Sequence, residues 1–424
     1  MGETGSVREL LVERDARLLF GSQWAAQATD GLVQVIFANA LVLEPEGSPE
    51  EIAGRVLAVS ALTLVPYSFI APFLGVFVDR WSRRAIMLWT NVLRGVVLFF
   101  VAIASSIWSG DAVLYGSFLA LLGLGRLFLT TKGAALPFVL HEHHLLQGNS
   151  LSGGGGMIAA LMGGVAGVGV IAVLSDQTAY AFGGMAYVVS GLVVGRMSSP
   201  MAHHAEHADL VTSMKRVWND LRVGLVEIAR RAEVRVPLVA VFLARIAAMI
   251  AAIAAILIIK DQYPDAGDDL GRLSASALAL GAAGVGAFLA AIFAPRLGAR
   301  FNEPNLMLIG FVIAGLGTSV LGGIDAIPAV LGLTFFGGFG GFLAKVAVDA
   351  QVQRALPDEY RGRGFAVYDI LYNLATVVAA AAVILAEDNS LRAFLVGVGI
   401  CTLLLSAVLA SLVKRLPVPE PESS

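Results

Sequence analysis

Asp30, Arg126, Lys132, Arg245, Lys345 and Asp349 each interrupt a long run of apolar residues. An ionised side chain in hydrocarbon costs several kcal/mol unless it is paired or hydrated, so such residues are candidates for binding or moving charge. A carboxylate in that setting takes up a proton or a cation, and an ammonium or guanidinium holds an anion. Gln23, Gln27, Asp30 and Gln34 follow i, i+4, i+7, i+11, which places all four on one face of a helix. A polar stripe through a lipid span must face protein or water. Asp30 is read in two ways: as a proton- or cation-linked carboxylate, or as a structural partner for Arg245 or Lys132. Lys345 and Asp349 stand four apart and are able to neutralise each other on one helix face. Arg126 and Lys132, six apart, share no face. Lys132 is the sharper candidate for holding an anionic group, and Arg126 is read as structural or as part of a gate. Arg94 and Asp369 are two further charges in apolar segments.

The elements that must carry these residues follow from composition. Of 424 residues, 57% are hydrophobic and 14% charged, against about a quarter charged in ordinary soluble domains. Mean hydropathy is +0.78. No soluble chain of this length hides so much apolar surface. This excludes a disordered chain, a disulfide scaffold and a cytosolic enzyme. A spanning helix needs about 20 apolar residues, and the sequence offers twelve candidates: 18–43, 52–78, 85–108, 112–139, 149–174, 177–195, 235–260, 272–295, 305–323, 327–353, 365–386 and 391–413. The fold class expected is an all-α membrane protein. Residues 1–17 are polar and the run after them is too long for a signal peptide, so the first run reads as a retained span. Cys401 is the single cysteine, and the net charge of -3 implies no nucleic-acid partner. No Gly-rich phosphate loop is present, so the chain carries no visible ATP engine.

Orientation follows from Lys/Arg asymmetry. With both termini in the cytoplasm, twenty of the 29 Lys/Arg fall inside, and only Arg55, Lys260, Arg272 and Arg392 fall outside. The division expected is a cytoplasmic segment 1–17, a six-helix bundle 18–195, a cytoplasmic linker 196–234, a second bundle 235–416 and a disordered tail 417–424. In the linker, Leu210, Met214, Val217, Leu221 and Ile228 recur on one helix face. Arg216, Arg222, Arg230 and Arg231 suit anionic headgroups, although a solvated linker helix fits equally. The halves match in register: Asp79-Arg80 and Pro295-Arg296 are 216 residues apart, as are Leu140 and Leu356. Duplicated halves are a transporter architecture.

Between the second and third spans runs Gly75-Val-Phe-Val-Asp79-Arg80-Trp-Ser82-Arg83-Arg84. This resembles the signature loop of the major facilitator superfamily, with Ser82 where the family usually has glycine. The resemblance covers essentially the whole chain. It implies two pseudo-symmetric six-helix bundles that rock about a midplane cavity by alternating access. In the family, spans 1, 4, 7 and 10 line that cavity, and the six charges named first fall on those spans. The resemblance also implies a gate in which Gly75 allows close helix approach. There Asp79 sits at the N-terminus of the eleventh span, and Arg80, Arg83 and Arg84 hold the gate or bind lipid phosphate; a plain positive-inside anchor is the simpler role. No catalytic residue, metal or cofactor is implied.

The remaining signals are weaker. Gly154, Gly163 and Gly167 partly match an exporter-associated pattern of the fifth span, while close helix packing explains them as well. His141, Glu142, His143 and His144, and separately His203, His204 and His207, cluster in loops and read as solvated polar surface rather than a metal site. Tyr67 to Gly75, Thr130 to Leu136 and Gly148-Asn149 are similar to the bacterial lysophospholipid transporter branch. The expected function is a secondary transporter of the inner membrane moving a small or amphipathic solute, an exporter or a lysophospholipid carrier. Its partners would be membrane lipids and protons as coupling ion, and it would work as a monomer. The alternatives are proton-coupled multidrug or siderophore efflux and, from another class, a non-transporting sensor or a membrane-embedded enzyme.

Overall fold

A computed structural model describes residues 12–43, 49–78, 80–105, 107, 111–141, 144–199, 201, 210–263, 271–356, 358–386 and 391–413. Asp79, Glu142, His143, the histidines at 203, 204 and 207, and the tail 417–424 lie outside the described residues. The described residues are helical: α1 (Arg14–Ala38), α2 (Pro49–Leu64), α3 (Ala71–Val78), α4 (Arg83–Ala104), α5 (Asp111–Val139), α6 (Leu145–Val173), α7 (Asp176–Gly195), α8 (Leu210–Arg230), α9 (Ala232–Gln262), α10 (Gly271–Gly298), α11 (Glu303–Leu321), α12 (Ile327–Ala355), α13 (Asp358–Ile384) and α14 (Leu391–Val413). Ten of these helices are long and apolar enough to cross a membrane, so the chain is an all-helical membrane protein.

The helix surfaces name the solvent. On α4, Trp89, Val96, Phe100 and Ile103 are exposed, Ile103 at 64%, while Thr90, Asn91 and Arg94 are buried. A helix in water would turn the other way. Only a lipid exterior makes an apolar outside and a polar inside the stable arrangement.

Two expected spans fall outside the ten. α1 is long enough, at 25 residues, but the Gln23–Gln34 stripe makes it too polar, and a π-helical turn, Asn39–Leu43, continues it. The second span is cut: α2 has 16 residues and α3 has 8, separated by the π-helical stretch Val65–Ile70. Pro66 stands in that stretch and has no N–H to continue the ladder. At about 1.5 Å per residue neither piece alone spans a core of about 30 Å.

The chain divides into two compact units: Met1–Glu44 with Val65–Val217, and Pro45–Leu64 with Trp218–Ser424. In the first unit α1 lies against α6 and α7, α4 against α7 and α5, and α3 against α5. Leu19, Phe20, Met87, Phe128, Leu136 and Val194 form one buried cluster there. In the second unit α12 lies against α9, α10 and α11, α11 against α14, and α13 against α9 and α2. Its core holds Leu238, Val241, Met307, Phe311, Leu343, Val348 and Val352.

The last of the three crossings between the units falls within α8. The apolar stripe expected on that helix is split: Ile228 is buried with Val234 and Leu238 in the second unit, whereas Met214 is exposed, as are Trp218 and Leu225 beside the stripe.

Close helix approach is set by glycine in two places. A Cβ on Gly31 of α1 would run into the Ala160 carbonyl, and one on Gly163 of α6 into the Ala28 carbonyl. Gly310 of α11 and Gly340 of α12 face each other in the same reciprocal way. At one end of the second unit Arg392 donates to Asp325, to Gln262 and to the Ile324 carbonyl. Tyr263 also donates to Asp325 there. Partial loss of water and that bond to a carboxylate push the Tyr263 hydroxyl above its ordinary value.

Ser82 replaces the usual glycine without strain. It has φ -56° and its hydroxyl accepts from the Ala85 N–H, capping α4. Ser82→Ala is expected to lower stability by about 1 kcal/mol, and Ser82→Gly by only a few tenths. Thermal unfolding of the two variants side by side checks the order.

Candidate functional site

In the first unit, Asp30 projects from α1 into a cavity of about 150 Å³ that is also lined by Gln27, Gln34, Tyr67, Arg94 and Tyr187. Three of the four residues of the α1 stripe therefore open on one space. Asp30 Oδ1 accepts from Arg94 Nη2 and from the Tyr187 hydroxyl, the latter at 2.7 Å. Arg94 continues inward: Nη1 donates to Asn91 Oδ1 at 3.2 Å, Asn91 Nδ2 donates to Ser190 Oγ at 2.9 Å, and Ser190 Oγ donates to the Ser22 carbonyl at 2.8 Å. The Arg94 guanidinium also lies 3.9 Å from the Tyr187 ring centroid. The network ties α1, α4 and α7 together around one carboxylate and one guanidinium. Gly125 on α5 leaves the room, since a Cβ there would stand 3.0 Å from Arg94 Nη2.

The partner of Asp30 is thus Arg94, and neither Lys132 nor Arg245 fills the structural role expected of them. Spacing along one span says nothing about which other span lies beside it. A signal was present: Asn91 and Arg94, and Tyr187 and Ser190, are each three apart within apolar spans, so each pair shares a helix face.

Lys132 is engaged differently. Its Nζ donates to Ser152 Oγ, which donates to Gln23 Oε1 at 2.9 Å, and Gln23 Nε2 donates to Gln27 Oε1 at 2.7 Å. This chain links the ammonium on α5 to the α1 stripe. Among the described residues no carboxylate pairs with Lys132, so its charge is met there by neutral dipoles. Arg126 lies over the Tyr67 ring, 5.4 Å from its centroid, and Tyr67 is on the wall of the same cavity.

In the second unit the expected pair forms. Lys345 Nζ lies 2.7 Å from Asp349 Oδ2 on α12. The same ammonium stands 5.4 Å and 5.6 Å from the Tyr368 and Tyr372 ring centroids of α13, and those two rings stack 5.9 Å apart. Arg245 of α9 lies over Tyr372 at 4.5 Å.

The basic residues of the signature loop hold the end of α7 and the chain that follows it. Arg83 Nη1 donates to the Met201 carbonyl at 3.0 Å, and Arg84 Nη2 donates to the Gly195 carbonyl. Arg83 also sits over Phe138, 4.7 Å from its centroid. The Arg80 N–H donates to the Phe77 carbonyl at 3.1 Å, closing the turn after α3, which carries Gly75. His141 lies 3.4 Å from Glu13 at the surface. Among the described residues no three His, Cys, Asp or Glu side chains gather in a metal-holding group.

A family model described as Major Facilitator Superfamily matches residues 237–424. An uncharacterized MFS-type transporter of Mycobacterium tuberculosis is 27% identical over 382 residues, covering 84% of this chain and 82% of its own. The chain is thus similar to the major facilitator superfamily, by the family model from residue 237 onward and by this relative over most of its length. The relatives it matches over most of its length are transporters by name, not enzymes. Another relative, a candidate bacilysin exporter of Bacillus subtilis, is 26% identical over 352 residues and covers 81% of this chain and 82% of its own. Among solved structures, a peptide transporter, POT, superposes with a TM-score of 0.70 at 14% identity over 98% of this chain and 96% of its own. The nucleoside transporter NupG gives a TM-score of 0.66 at 14% identity over 94% and 98%. At these identities the likeness is one of fold.

Proposed function

We propose that this chain is a secondary transporter of the major facilitator superfamily that exports a small or amphipathic solute. In this reading twelve spans form two six-helix bundles, both termini lie in the cytoplasm of the plasma membrane, and a single chain is the working unit. Transport proceeds by alternating access and is coupled to proton movement through Asp30. The observation that carries the reading is the cavity of about 150 Å³ at Asp30, where Gln27, Gln34, Arg94 and Tyr187 meet within a membrane-embedded unit. A paired but solvent-reachable carboxylate exchanges its proton when its cation partner is drawn away. The candidate bacilysin exporter among the relatives supports the outward direction. The lysophospholipid substrate rests only on the short stretches Tyr67 to Gly75, Thr130 to Leu136 and Gly148-Asn149, and the relatives do not add to it. Arg80, Arg83 and Arg84 keep their proposed place in the cytoplasmic gate with Gly75 and Asp79.

The test is uptake into inside-out proteoliposomes under an imposed pH gradient. The labelled probes are alanyl-tyrosine, 3-phenylpropionate, ethidium and lysophosphatidylglycerol. Gradient-driven uptake of at least one probe is expected. Asp30→Asn and Lys132→Ala should each lower it by about tenfold or more, a loss of about 1.4 kcal/mol or more, while elution in size-exclusion chromatography stays unchanged. Wild-type rates in both variants would remove these residues from the mechanism.

A further inference from the structure

We infer that the second unit carries a binding site for an apolar organic monoanion, built on Arg245. Arg245 lines a cavity of about 230 Å³ together with Ala248, Met249, Gly337, Phe342 and Tyr372. Its Nε is buried and makes no hydrogen bond. The guanidinium lies over the face of Tyr372, and no carboxylate pairs with it among the described residues. The neighbouring cation is already matched, Lys345 by Asp349. A positive charge is therefore left over, at mid-span, on the wall of a cavity. An uncompensated guanidinium in low dielectric is unfavourable until an anion meets it, and its planar fork suits a carboxylate in two-point contact.

The rest of the cavity sets the ligand's other half. Its walls are aliphatic and aromatic. Thr334, the other polar side chain on its rim besides Arg245 and Tyr372, has its hydroxyl turned to the Leu331 carbonyl at 3.0 Å. A cavity of roughly 150 Å³ takes benzene, so the space here admits an aryl or branched alkyl group with a short arm ending in the anion. The room comes from glycine: a Cβ on Gly337 would meet nothing within 4 Å, and one on Gly341 only the Ala248 methyl at 3.7 Å. This rests on the transporter reading and narrows its substrate class to solutes with one negative charge beside an apolar body.

The experiment is calorimetric titration of the full chain in detergent with 3-phenylpropionate and, as the uncharged isostere, 3-phenylpropanamide. The acid is expected to bind at least about tenfold more tightly than the amide. Arg245→Gln should remove that preference. Gly337→Leu, which leaves Arg245 in place and fills open space, should abolish binding of the acid. Equal affinity for acid and amide, or acid binding unchanged in both variants, overturns the site. Anion-selective binding in a protein that moves no solute in vesicles upholds the site and removes the export reading. Transport without anion-selective binding removes the site alone.

Discussion

An Arg94→Met variant is expected to lose about 3–5 kcal/mol of stability, the cost of removing one partner of a buried ion pair. The side chains of Arg94 and Asp30 are 3% and 18% exposed. Methionine fills much of the volume but leaves the Asp30 carboxylate with the Tyr187 hydroxyl as its remaining protein donor among the described residues. It also strands Asn91 Oδ1, which accepts from Arg94. Asp30→Asn should cost less, because the guanidinium keeps the Tyr187 ring and Asn91. The double variant Asp30→Asn/Arg94→Met removes both charges and should be more stable than the sum of the single losses predicts. Equilibrium unfolding in mixed micelles measures all four corners of this cycle. Additivity within about 0.5 kcal/mol would mean the two residues do not act as a pair.

The second large effect concerns α1 and α6. Gly163→Ala places a methyl group on the Ala28 carbonyl, a backbone atom that cannot turn aside. The two helices must separate, at a cost of about 1–3 kcal/mol or more. The stripe residues Gln23, Gln27 and Asp30 ride on α1, so transport should fall with stability. Gly169 stands six residues further along the same helix, and a Cβ there would meet nothing within 4 Å. Gly169→Ala should be neutral or gain up to about 1 kcal/mol from helix propensity. Equal thermal shifts for the two variants would show that α1 and α6 have room to accept the methyl group. The contrast also bears on the glycines of the fifth span: Gly163 and Gly167 both abut α1, whereas a Cβ on Gly154 meets nothing. Helix packing thus accounts for two of the three positions in the exporter-like pattern.

Part of this arrangement is legible in the sequence. The positions of the spans follow from local apolar length, because a bilayer sets that length and every backbone group must be satisfied within the helix. α5, α7, α12 and α14 start and end within a few residues of the expected bounds. α13 departs further, beginning at Asp358 rather than 365. The facing of Gln27, Asp30 and Gln34, and the Lys345–Asp349 pair, follow from helix geometry within one segment.

The rest depends on which segments become neighbours. Asp30 meets Arg94 because α1 and α4 both pack on α7. Gly163 and Gly169 are alike in sequence and differ only in what stands opposite them. The same holds for Arg83 and Arg84, which close on carbonyls more than a hundred residues away. The amino-acid sequence by itself determined the membrane as solvent, the helices and the face each polar residue takes, since these depend on contacts within one turn or one span. Only the tertiary structure decided that Asp30 is neutralised while Lys132 and Arg245 lack a carboxylate partner among the described residues. Charge compensation in a low dielectric is a property of neighbours brought together from distant parts of the chain.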